Sequence, residues 1–114
     1  MSFRRRPSGG RGALLILTTA PTAALGRSLA ARLVKRKLAA CVSLKEGWVS
    51  YYEWNGGLEK AKEVLLLIKT DRDHYQTVEK FLLRHHPYKV PEIIALPVLK
   101  GSKAYLSWIS EVLE

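Results

Sequence analysis

Adjacent histidines, His85 and His86, stand before Pro87-Tyr88, and imidazole is the commonest protein ligand for borderline transition metals such as Cu(II) and Zn(II). Neighbours on an α-helix point about 100° apart. A shared ion therefore requires the last turn to unwind at the proline, or a further ligand from elsewhere, since neither HxxxH nor HExxH spacing occurs. The plainer role is structural, with both rings stabilising a helix C-terminus and packing on Pro87. Cys41 follows Ala39-Ala40, and a free cysteine is ordinarily a small buried hydrophobe. A nucleophilic cysteine needs a histidine and an orienting acid, which His86 and Glu92 could supply only through tertiary structure. Glu63, Lys69, Lys89 and Glu92 flank or interrupt apolar runs, where an unpaired charge is costly. They can pair at the surface, or Lys69 and Glu63 can line a polar pocket between subunits. No Gly-rich phosphate loop, catalytic-serine elbow or paired-carboxylate motif appears, so the residues carry no signal of an enzyme.

The elements that must position these residues follow from apolar periodicity and punctuation. Ala13 to Thr18 is a short apolar run before Ala20-Pro21 and reads as a buried strand. Thr22 can cap a helix whose apolar positions Leu25, Leu29, Ala30, Leu33 and Val34 recur at helical spacing up to Lys35-Arg36-Lys37. Leu38 to Trp54 is rich in Val, Tyr and Trp and reads as a long strand, bent or bulged at Gly47. Asn55-Gly56-Gly57 is a hairpin turn, after which Glu63 to Thr70 returns antiparallel. Asp71 or Asp73 can cap a second helix with the stripe Tyr75, Val78, Phe81 and Leu82, which Pro87 stops. Glu92 to Val98 is a further strand. Ser102 then caps a final helix presenting Tyr105, Trp108, Ile109 and Val112 on one face.

The order β-α-β-β-α-β with an added C-terminal helix is the ferredoxin-like α+β arrangement. Right-handed crossovers place both main helices on one face of its four-stranded antiparallel sheet. Yet Val64 to Ile68 is apolar at every position, and so are most of Leu14 to Leu17 and Ile93 to Leu96, so both faces need cover. A final helix of about a dozen residues cannot shield a sheet with a long ribbon. Four of the ten aromatics, Trp48, Tyr51, Tyr52 and Trp54, also cluster in the hairpin. Such an apolar patch marks an interface, and an obligate oligomer built through this sheet is expected.

At 114 residues with 47% hydrophobic content, the chain suffices for one core but not two. It is divided into a basic arm, residues 1–12, and a single domain, residues 13–114. The net charge of +9 raises nucleic acid as a partner. However, Arg4, Arg5, Arg6 and Arg11 all lie in the glycine-rich arm, which reads as flexible, and Lys35-Arg36-Lys37 sits where cations offset a helix dipole. Nucleic-acid binding is accordingly not expected. A single cysteine suits a reducing, cytoplasmic compartment, and no apolar run approaches the roughly 20 residues of a membrane-spanning helix.

Leu38-Ala39-Ala40-Cys41-Val42, Tyr52-Glu53-Trp54-Asn55-Gly56, Glu63 through Thr70 and His86 through Pro97 together resemble the CutA, or divalent-cation-tolerance, family. The likeness runs from about Leu14 to Trp108. It implies a ferredoxin-like fold assembled as a homotrimer and a non-catalytic function in cation tolerance, with copper the foremost ion and no tightly bound cofactor. It also implies metal ligation by His85 and His86, with Thr18 at the position where some members carry a cysteine ligand. A hydroxyl is a poorer copper ligand than a thiolate. Lys89 replaces a common glutamate, placing a positive charge near the histidines. Trp54, Glu63, Lys69, Tyr88 and Glu92 fall at family positions near an inter-subunit cleft. The alternative function is that of a trimeric module similar to PII signalling proteins, binding a small effector in that cleft.

Overall fold

The computed structural model describes residues 12–114, so the expected basic arm lies, apart from Gly12, outside the described residues. The elements are β1 (Ala13–Ala20), α1 (Ala23–Lys35), β2 (Cys41–Trp54), β3 (Gly57–Asp71), α2 (Tyr75–His85), β4 (Ile93–Pro97) and α3 (Lys103–Leu113). The sheet has the order β2-β3-β1-β4 with every neighbouring pair antiparallel. This is the expected α+β ferredoxin-like topology with an added helix. No described helix is long and apolar enough to cross a membrane.

Local chemistry sets the boundaries. Thr22 caps α1 by accepting the Leu25 N–H at 3.1 Å, and Ser102 caps α3 by accepting that of Tyr105 at 3.2 Å, each relieving an otherwise orphaned donor. Asp71 accepts the His74 N–H at 3.0 Å. It caps a short 3₁₀ turn, Arg72–His74, rather than α2 itself, which starts without a side-chain cap. In the ribbon turn, Asn55 and Gly56 both take positive φ, 52° and 80°, the backbone that lets a two-residue hairpin loop follow strand twist. The ribbon also begins earlier on its return limb than Glu63. The polar residues from Gly57 onward pair with β2, because the turn hands them directly to it whatever their hydrophobicity.

One face of the sheet is covered by α1 and α2, and the other only in part. Ile16, Leu66 and Ile68 pack under α1 and α2 with Leu29, Leu33, Val78, Phe81 and Leu82, forming the main core. On the opposite face, α3 seals one end, where Leu106, Ile109 and Leu113 meet Ala13 and Ala40. The buried stripe of α3 is therefore rotated from the expected one. Tyr105 and Trp108 stay exposed while Leu106 and Leu113 go in, since the helix docks against small residues at the sheet's end. The remainder of that face is open, with Ile94 and Leu96 each 49% exposed, so the second cover that the two-sided patterning demands is incomplete among the described residues.

Leu66 is fully buried at the centre of β3. Leu66→Ala is expected to destabilise the fold by about 2–5 kcal/mol, read as a lowered midpoint in denaturant unfolding. No atom lies within 4 Å of a β-carbon built at Gly56, so Gly56→Ala probes backbone conformation alone. It should cost about 1–2 kcal/mol by the same measurement.

Candidate functional site

An extra residue in β2 creates the site. Lys45 opposes Leu65 and Trp48 opposes Glu63, so Glu46 and Gly47 together face the single Val64. Gly47 takes φ 75°, and the bulge reverses the inside-outside alternation of everything beyond it. Before it, Cys41 and Ser43 share the α3-side face with Leu67 and Lys69. After it, Trp48, Ser50, Tyr52 and Trp54 share that face with Glu63.

Ser50 consequently donates its hydroxyl to Glu63 Oε1 at 3.3 Å, while the Tyr88 hydroxyl donates to Oε2 at 3.0 Å. Glu63 is only 8% exposed. Among the described residues no Lys, Arg or His side chain forms an ion pair with it. Burial, then the hydrogen bond and charge of Glu63, and then nearby Tyr52 push the Tyr88 phenol above its ordinary pKa. Tyr88 therefore keeps its proton and remains a donor at neutral pH.

His86 positions Tyr88. The chain leaves α2 at His86 with extended geometry, and the ring turns into the sheet. Nε2–H donates to the Thr19 carbonyl at 2.7 Å, and Nδ1 accepts the Tyr88 N–H at 3.1 Å. Both ring nitrogens are thus occupied, leaving no lone pair for an ion without breaking a buried hydrogen bond. The two rings lie 4.8 Å apart.

His85 points the other way. It sits on Phe81 with ring centroids 4.6 Å apart, and Arg32 Nη2 approaches its nitrogens at 3.1 and 3.3 Å. Desolvation first, then the charges of Arg32, Arg84 and Arg36, hold its pKa below the ordinary histidine value. Those guanidiniums repel a cation as they repel a proton. The described residues therefore do not bring His85 and His86 together. Thr18 lies on the helix side of β1, opposite Leu66 and Ile93, fully buried with its hydroxyl unpartnered. Among the described residues no group of three His, Cys, Asp or Glu side chains converges as a metal set, and the histidine pair does not fit a shared ion.

What the structure does bring together is a cleft of about 700 Å³ lined by Trp54, Glu63, Tyr88 and Glu92, four of the five residues expected there. Thr19, Ser50 and Glu59 also line it. Ser50 was missed because its facing depends on the bulge, for which Gly47 was the available signal, and Thr19 and Glu59 because only strand pairing, opposite Leu65 and Tyr52 respectively, brings them to the cleft. Lys69 lies elsewhere, about 20 Å along β3 from Glu63, donating to Ser43 Oγ at 2.7 Å and approaching Cys41 Sγ at 3.8 Å. Cys41, expected as inert packing, is half-buried beside this ammonium group, and its contact with Tyr105 helps raise that phenol's pKa after burial. Trp48, Tyr51, Tyr52 and Trp54 are all exposed along the ribbon.

Comparison with known proteins identifies the family and matches the fold. The pattern of the family described as "CutA1 divalent ion tolerance protein" matches residues 14–112. A divalent-cation tolerance protein CutA of Yersinia pestis is 47% identical over 98 residues, covering 86% of this chain and 82% of the relative. The crystal structure of CutA1 from Oryza sativa superposes with a TM-score of 0.88 at 34% identity, covering 90% of this chain and 94% of that one. The divalent cation tolerance protein of Thermus thermophilus does so with a TM-score of 0.86 at 37% identity, over 90% and 99%. The chain belongs to the CutA1 divalent ion tolerance family.

Proposed function

We propose that the protein is a non-catalytic homotrimer acting in divalent-cation tolerance, and that its cation site is the Glu63 cleft rather than the histidine pair. The observation that carries this reading is Glu63 itself. A carboxylate that is 8% exposed and held only by neutral hydroxyls retains most of its attraction for a positive ligand. In a chain of net charge +9, cationic partners are abundant, yet none of the described ones pairs with it. The exposed apolar face around Ile94 and Leu96 and the ribbon aromatics support association with further copies, which would enclose the cleft and supply remaining ligands. The similar protein of Thermus thermophilus is described as a divalent cation tolerance protein, in keeping with this ligand class.

Copper remains the leading ion on chemical grounds. Even where carboxylate and hydroxyl oxygens are the donors, Cu(II) stands highest in the affinity order of the first-row divalent ions. The single cysteine supports a cytoplasmic setting. The tyrosine and tryptophan side chains lining the cleft favour a second reading, a small aromatic or apolar effector held between subunits.

Native mass spectrometry with one equivalent of Cu(II) per subunit tests both. The expected species is a trimer that takes up copper. Glu63→Gln should weaken uptake by about tenfold or more, while His85→Ala leaves it intact. Uptake unchanged in Glu63→Gln and lost in His85→Ala would overturn the cleft assignment. An organic adduct retained through purification, with no copper bound, would favour the effector. Lys89 also lines the cleft, so Lys89→Glu removes a repelling charge and should tighten Cu(II) binding, measured by calorimetric titration.

A further inference from the structure

The helix layer carries a charged cluster that the cleft does not use. α1 contains no acidic residue, and its last turn and cap bring Arg32, Lys35 and Arg36 to one end. α2 adds Arg84 and His85. The guanidinium carbons of Arg32 and Arg36 lie 5.1 and 5.3 Å from the centroid of the Phe81 ring, within reach of its negative face. Arg32 meets the His85 imidazole rather than a carboxylate. Among the described residues none of Arg32, Arg36 and Arg84 forms an ion pair, whereas Arg27 on the same helix reaches Glu46 at 3.7 Å.

Helix capping accounts for part of this. A helix C-terminus presents roughly half a negative charge, which favours a cation in each last turn but does not neutralise three guanidiniums. Neither the Phe81 ring nor a neutral imidazole cancels charge. Phe81 holds Arg32 and Arg36, and His85 holds Arg32 a second time, so these two are oriented while their charge is left unsatisfied, and Arg84 adds its charge from the residue before His85. That combination describes a receptor for an anion, because the ordering cost is met before the ligand arrives. The planar fork of arginine fits phosphoryl oxygens bidentately. A tetrahedral phosphoryl group offers three oxygens, enough for the two oriented forks and a third cation, where a carboxylate offers two.

We propose that Arg32, Arg36 and Arg84 form a binding site on the helix layer for a phosphoryl anion, either inorganic or carried by a nucleotide. It lies on the face away from Ile94 and Leu96, so it stays open whichever copies cover the apolar side. The test is calorimetric titration of the full chain with inorganic pyrophosphate in metal-free, low-salt buffer. Saturable binding is expected, weakened by about tenfold in Arg36→Gln and in Arg84→Gln, both exposed positions. Arg27→Gln, an identical charge change elsewhere on α1, should bind as the parent does. ATP binding as tightly as pyrophosphate would assign recognition to the phosphoryl group alone, and tighter binding would add the nucleoside; both support the site. No saturable binding at millimolar pyrophosphate would overturn it. So would equal weakening by Arg27→Gln, or loss only when Arg4, Arg5 and Arg6 are replaced by Gln.

Discussion

Strand β3 must be covered on both faces, and the rest of the molecule is arranged around that requirement. Val64 through Ile68 carries no polar side chain, so neither face tolerates water without losing roughly 25 cal/mol per Å² of exposed apolar surface. α1 and α2 take one side, where Leu66 and Ile68 are completely buried. β1 and β2 flank β3 in the sheet. α3 reaches only the end of the other side near Ala13 and Ala40. What remains open includes the apolar Ile94 and Leu96, so the demand for cover passes from the fold to the proposed assembly.

Where the apolar run ends, the site begins. Glu63 is the first charged residue met on passing out of Val64–Ile68 toward the ribbon tip, and it stays buried because the bulge at Gly47 turns Ser50 toward it and His86 turns Tyr88 toward it. A line of hydrogen bonds thus links the Thr19 carbonyl, His86, Tyr88, Glu63 and Ser50 across three strands' worth of chain. Such networks rigidify when every member is satisfied. His86 works within this line as a strut, and His85 belongs to a different surface. Adjacent histidines diverge because the helix ends between them: one ring follows helical geometry onto Phe81, while the other follows extended backbone into the sheet.

Acidic and arginine side chains gather at different places on the chain. The cleft face holds the buried carboxylate, with Glu59 and Glu92 lining the same cavity, and the helix layer gathers arginines that form no ion pair among the described residues. A strongly positive net charge is thereby compatible with the cation site proposed for the cleft, since field strength at a buried group is set by what lies within a few ångströms and is weakly screened there.

Much about this protein was legible in the amino-acid order. The βαββαβ sequence of elements, the caps at Thr22 and Ser102, the turn at Asn55-Gly56 and the surplus of apolar strand surface all rest on local rules of period, capping and backbone φ. These need no knowledge of the neighbours. The start of β3 at Gly57 and the true buried stripe of α3 were not legible, because partner strands and docking surfaces decide them. The same division holds at the site. Family resemblance marked Glu63, Tyr88, Glu92 and Trp54 as cleft candidates, whereas residue type alone pointed only to Glu63 and Lys69, and Lys69, equally charged and on the same strand face, fell outside because distance along β3 separates it from the cleft. Only the tertiary structure decided that His86 is saturated, that His85 stands among arginines and that Ser50 faces Glu63. Each of these depends on where a bulge or a helix end redirects the chain, and a shift of one residue in that redirection moves a side chain to the opposite face.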